Sequence, residues 1–187
     1  MSPNHLLRSS HPAPPTWLPA TALTLGQHTP LLSWLQHQGS LTARLRAHCG
    51  GQFTVEVLNQ YWGCARADEA LIQGISPRAR VLIREVLLKG YGQPWVWARS
   101  ILPASSLSGS LRFLRKLDNQ PLGGWLFKQP SLARGPMTIA YLKPAELPVS
   151  ELLGIEQPLW GRRSVFRVQG KPMLVGEVFL PDFLDTL

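Results

Sequence analysis

The side chains with the most chemical potential in this sequence are charges set inside apolar runs. Arg84 sits in Val81-Leu82-Ile83-Arg84-Glu85-Val86-Leu87-Leu88, Arg99 follows Trp95-Val96-Trp97-Ala98, and Glu177 stands within Met173-Leu174-Val175-Gly176-Glu177-Val178-Phe179. A charge in such a run is costly to bury unless it is paired or binds something. The pattern leaves two readings open. Either the charges form internal ion pairs or a polar outer face of a sheet, or they line a site, where an arginine can take a carboxylate in two parallel hydrogen bonds.

Other chemistries lack their signatures. The sequence contains no glycine-rich phosphate loop, no GxSxG, no HExxH and no carboxylate cluster spaced for magnesium or calcium, so neither a metal nor a nucleotide cofactor is expected. The histidines, His5, His11, His28, His37 and His48, all fall in the first quarter of the chain, where exposure to solvent accounts for them. Cys49 and Cys64 form neither a disulfide framework nor a zinc pattern, which fits a reducing cytosol.

A chain of 187 residues, 44% apolar and 16% charged, is large and apolar enough to fold around one core. Its net charge of +8 invites a nucleic-acid reading. The distribution argues against that reading: the basic residues come in small groups (Arg78, Arg80 and Arg84; Arg112, Arg115 and Lys116; Arg162, Arg163 and Arg167), with no lysine-rich arm. A basic field equally steers a small dianion inward. No apolar run approaches the roughly 18 residues of a membrane span, so a soluble protein is expected; with the cysteines pointing to the cytoplasm, the further expectation is a monomer there. Residues 1–15 read as a flexible tail and 16–187 as a single domain.

The elements that must position these charges follow from periodicity. Thr29-Pro30 opens a helix carrying Leu31, Leu32, Trp34 and Leu35 that Gly39 should stop, and Ser40 caps a second with Leu41, Leu45 and Cys49 on one face, ended by Gly50-Gly51. A strand starts at Phe53, and a loop of small and charged residues leads to a hairpin, Arg80 to Leu88 against Trp95 to Leu102, turned at Gly90-Tyr91-Gly92-Gln93. With Lys89 facing Pro94, Arg84 falls opposite Arg99, two like charges that an acid or a bound anion must relieve. Helical spacing returns at Leu111, Leu114 and Leu117, and again at Leu122, Leu126 and Phe127. Met137 to Leu142 reads as a strand, Pro144 to Gln157 as a loop or insertion, and Ser164 to Val168 against Met173 to Leu180 as a second hairpin. The class is α+β.

Several segments taken in order resemble the chorismate pyruvate-lyases. They are Gly39-Ser40-Leu41-Thr42, Arg84-Glu85-Val86-Leu87-Leu88, Gln93-Pro94-Trp95, Leu107-Ser108-Gly109, Pro121-Leu122-Gly123 and Leu126-Phe127. Leu159-Trp160-Gly161-Arg162-Arg163-Ser164, Gly170-Lys171-Pro172 and Glu177-Val178-Phe179-Leu180-Pro181 complete the set. The resemblance implies a six-stranded antiparallel sheet with helices on one side and two helical flaps over a buried site. It implies that Arg84 and the backbone amide of Leu122 hold an aromatic carboxylate, that Glu177 meets the product hydroxyl, and that Leu41 contributes flap contact. It also implies a cofactor-free elimination of pyruvate from chorismate to 4-hydroxybenzoate, the ring precursor for ubiquinone.

The partner of the second substrate carboxylate stays open, with Arg99, Arg162 and Arg163 as candidates. Gly124 stands where relatives often carry a basic residue, and Thr138 where many carry an acid. Because related folds also serve as effector-binding modules, a non-catalytic aromatic-acid-binding domain is the alternative.

Overall fold

The long strands of the sheet bury apolar side chains on both faces, and this decides the architecture. The structure is a computed structural model that describes residues 15–22 and 30–187; the expected tail, apart from Pro15, and the expected cap at Thr29 lie outside them. β1 (Leu18–Pro19) precedes the helices α1 (Pro30–Leu35) and α2 (Leu41–His48). Then come β2 (Phe53–Cys64), α3 (Ala67–Gln73), β3 (Arg80–Gly90) and β4 (Gln93–Pro103). A 3-10 helix (Gly109–Lys116) leads to α4 (Leu122–Leu126), β5 (Leu132–Arg134) and β6 (Thr138–Leu142). The chain closes with α5 (Ser150–Leu153), β7 (Leu159–Val168), β8 (Lys171–Phe179) and α6 (Pro181–Leu184).

All pairings are antiparallel, in the order β1-β6-β7-β8-β4-β3-β2, with β5 also on β7. The sheet thus has eight strands rather than six. The two extra strands, β1 and β5, have two and three residues, too few for a period of two to show in sequence.

Helices cover both faces, which corrects the one-sided expectation. One face carries Val86, Leu88, Ala98 and Phe179 under α1, α2 and α6, and Leu82, Leu102 and Phe166 under the 3-10 helix and α4. The other face buries Ile83, Leu87, Trp97, Ile101, Leu174 and Val178 against Ile72 of α3 and against Leu147, Val149 and Ile155. A sheet apolar on both faces must be covered twice. The segment read as a loop before β3 supplies part of this cover: α3 starts where the Glu69 carboxylate accepts the Arg66 N–H at 2.9 Å and ends at Gly74 with φ of 68°.

Register holds the second correction. Lys89 does face Pro94, but Leu88 faces Val96, so Trp95 is an extra residue at a bulge. Arg84 therefore lies opposite Ser100, and Arg99 opposite Glu85. The bulge sends the side chains of both Trp95 and Val96 into one core cluster. Gly90 accommodates the indole, since a Cβ there would sit 2.4 Å from the Trp95 ring.

Two helical lids, α1 with α2 and the 3-10 helix with α4, lie over the first face and form for local reasons. Ser40 Oγ accepts the Ala43 N–H at 3.2 Å and starts α2, and Gly50 and Gly51 with positive φ end it. Leu111, Leu114 and Leu117 recur every three residues, the period of the 3-10 helix that forms there. Among the described residues no helix is long and apolar enough to cross a membrane.

Candidate active site

Cross-strand pairing aligns Val86, Ala98, Glu177, Arg162 and Ile139 in one row, with Arg84, Ser100, Val175 and Ser164 in the next row on the same face. Arg84, Arg162 and Glu177 therefore share the face that the lids cover. Gly39 and Leu41 from the first lid and Gly123, Leu126 and Phe127 from the second line a small cavity of about 10 Å³ over Arg134, Arg162, Phe166, Val175 and Glu177.

Arg162 is 1% exposed and binds the Glu177 carboxylate through Nε at 2.7 Å. Its Nη1 donates to the carbonyls of Trp34 at 2.7 Å and His37 at 2.9 Å, which ties the end of α1 to the sheet. Arg84, also 1% exposed, donates through Nη2 to the carbonyls of Asp118 at 2.7 Å and Gln120 at 3.0 Å, just before α4. Its Nε is buried without a partner, and burial holds its pKa below the ordinary arginine value, against a smaller opposing pull from Asp118. Leu122 is the first residue of α4, where helix N–H groups have no partner within the helix.

Arg134 also lines the cavity and was not among the residues expected from the sequence. It donates to Ser164 Oγ at 3.1 Å and to the Gln38 carbonyl at 2.7 Å, and lies 5.0 Å from the Phe166 ring centroid. Burial, then Arg162, pushes its pKa down to about 10, with Glu177 pulling the other way. Its sequence signal is slight, a lone arginine in a three-residue strand. His37, whose carbonyl accepts from Arg162, is held below its usual pKa by burial and by Arg44, Arg162 and Arg134.

Arg99 and Arg163 lie on the opposite face. Arg99 binds Glu69 at 2.8 Å and Glu85 at 2.7 Å, and these acids raise its pKa despite burial. Arg163 binds Asp68 at 2.5 Å and stacks 4.1 Å over the Trp17 ring. Asp68 and Glu69 come from α3. Buried charge is thus handled differently on the two faces: behind the sheet Arg99 and Arg163 are closed by acids, whereas beneath the lids Arg162 pairs with Glu177, and Arg84 and Arg134 have no carboxylate in salt-bridge reach among the described residues. Among those residues no three His, Cys, Asp or Glu side chains gather as a metal site.

The sequence profile described as chorismate lyase matches residues 12–186. The chain belongs to the chorismate lyase family. A relative from Methylococcus capsulatus named probable chorismate pyruvate-lyase is 41% identical over 82% of this chain and 96% of its own length. One of the same name from Pseudomonas aeruginosa is 39% identical over 93% and 96%. These names describe a carbon–oxygen lyase, and the chain is an enzyme of that class.

Solved structures show how the chorismate lyase fold is shared. The effector domain of PhnF from Mycobacterium smegmatis superposes with a TM-score of 0.56 at 18% identity, covering 78% of this chain and 91% of that one. The C-terminal domain of the histidine utilization repressor from Pseudomonas syringae pv. tomato gives 0.55 at 15% identity, with 70% and 92% covered. At such identity the likeness concerns the fold alone.

Proposed function

We propose that this member of the chorismate lyase family eliminates pyruvate from chorismate and leaves 4-hydroxybenzoate, as a cytoplasmic monomer that uses no metal or cofactor and supplies the ring of ubiquinone. The observation that carries the reading is Arg84, a buried guanidinium without an acid partner on the face that also presents Glu177. A buried charge lacking a counterion is unfavourable until an anion arrives. Arg84, with the Leu122 N–H beside it, is the anchor for the ring carboxylate. Glu177, oriented by Arg162, accepts a hydrogen bond from the 4-hydroxyl. Leu41 closes the apolar side of the cavity.

In this reaction the ether bond at ring carbon 3 breaks, carbon 4 loses its hydrogen, and the enolpyruvyl methylene gains one, so the products are an aromatic acid and pyruvate. Aromatisation supplies the driving force, and the enzyme contributes position and charge stabilisation. The lids exclude water from the ring during the step.

The test is to incubate purified, exhaustively chelated protein with chorismate and follow both products. Equal amounts of pyruvate and 4-hydroxybenzoate are expected. Tight binding of 4-hydroxybenzoate without consumption of chorismate would instead assign the chain to the aromatic-acid-binding alternative, and loss of turnover restored by one divalent ion would reject the cofactor-free reading.

A further inference from the structure

Chorismate carries two carboxylates, and Arg84 accounts for one. The substitution pattern of the ring restricts where the other is met: the enolpyruvyl ether is on the carbon adjacent to the one bearing the hydroxyl. A second anchor therefore belongs beside Glu177, away from Arg84. The arginines offered by sequence do not meet this need. Arg99 and Arg163 are bound to acids on the other face of the sheet. Arg162 already has a carboxylate counterion, Glu177, at 2.7 Å, so its charge is compensated without substrate.

Arg134 meets it. It lines the cavity with Glu177 and Arg162, and both act on its charge. Its Nε and Nη1 are fixed by Ser164 and Gln38, while Nη2 has no protein partner among the described residues. The sheet runs from β3, which carries Arg84, through β4, β8 and β7 to β5, which carries Arg134, with Glu177 on β8 between them. Arg134 lines the cavity itself, while Arg84 lies four strand steps of about 4.8 Å away, so the two arginines stand on opposite sides of Glu177.

We propose, resting on the lyase reading above, that Arg134 is the specificity-determining residue that holds the enolpyruvyl carboxylate and makes the site selective for a dianion. The product 4-hydroxybenzoate has only the carboxylate held at Arg84, so it leaves Arg134 without an anion. Substrate and product are thereby distinguished by one guanidinium, while Arg84 serves both.

The experiment measures kcat/KM for chorismate and calorimetric affinity for two stable probes in the full chain. The probes are 4-hydroxybenzoate and its dianionic analogue 3-(carboxymethoxy)-4-hydroxybenzoate. Wild-type protein is expected to prefer the dianion. Arg134→Gln should lose about 100-fold in kcat/KM and erase that preference, as truncation of one partner in a buried charged contact does, while its affinity for 4-hydroxybenzoate stays within about threefold of wild type. Arg134→Lys, which keeps charge without the planar fork, should fall between them; it also serves if the glutamine variant folds poorly after losing its tie to Gln38.

Arg134 is rejected as the second anchor if wild type shows no preference for the dianion, if the preference survives in both variants, or if both probes weaken equally, the mark of a purely structural tie. Because the probes bind without reacting, the binding arm decides Arg134 even if chorismate is not consumed. Failure of the lyase reading would appear separately, as absent pyruvate from wild-type protein.

Discussion

Arg162 and Glu177 face each other across β7 and β8 with Nε and Oε2 2.7 Å apart, and the same guanidinium holds two carbonyls of the first lid. This one ion pair thus ties the end of α1 to the centre of the sheet. Glu177→Ala leaves Arg162 buried and uncompensated, and should cost roughly 3 kcal/mol of stability. Turnover should fall by about 100-fold or more, with a smaller effect on 4-hydroxybenzoate affinity, since the ring carboxylate is held elsewhere. Thermal melts, steady-state rates and calorimetry on the variant test this, and unchanged turnover removes Glu177 from the site.

Arg84 behaves differently because it has no acid to abandon. Arg84→Ala should weaken 4-hydroxybenzoate binding by roughly 2 to 4 kcal/mol. Its stability should change by only about 1 kcal/mol, the net worth of its bonds to the Asp118 and Gln120 carbonyls. A variant that unfolds, or one that binds product as tightly as the parent, is incompatible with a carboxylate anchor.

Acid stability should depend on the opposite face. Burial works to raise the pKa of Glu69, but Arg99 and Arg66 hold it below the ordinary value of 4.5. A carboxyl whose folded pKa is depressed contributes stability that is fully present above its unfolded value and lost as pH falls through the folded one. Wild-type protein should therefore lose part of its stability below about pH 4.5, and Glu69→Gln should lack that part of the slope. Identical pH profiles for the two proteins between pH 6 and about pH 3 would show that the pair is energetically silent.

Lid motion is open to hydrogen exchange. Arg84 holds carbonyls just before α4, while Arg134 and Arg162 hold carbonyls at the end of α1 and beyond. Bound 4-hydroxybenzoate should slow amide exchange in residues 30–48 and 109–126. Exchange unchanged in both segments rules out mobile covers.

The amino-acid sequence by itself determined a good deal of this protein. Period-two runs and turn residues located both long hairpins, whose turns at Tyr91-Gly92 and Gln169-Gly170 share positive φ values. Ser40 as a cap and Gly50-Gly51 as a stop were legible because capping and left-handed turns are local. The ordered segments pointed to the family, and Arg84 and Glu177 stood out because charges inside apolar strands demand partners.

Only the tertiary structure decided which partners those are. A strand's own sequence separates its two faces, yet one extra residue, Trp95, moved Arg84 from Arg99 to Ser100 and left Arg99 facing Glu85. The acids that close the rear cluster, Asp68 and Glu69, come from a seven-residue helix too short to be read from periodicity. Arg134 gained its place only when β5 paired with β7 and set it beside Glu177. Local propensity is written along the chain, whereas the environment of a buried charge is assembled from residues far apart in sequence, so the site emerges only when strands pair in register.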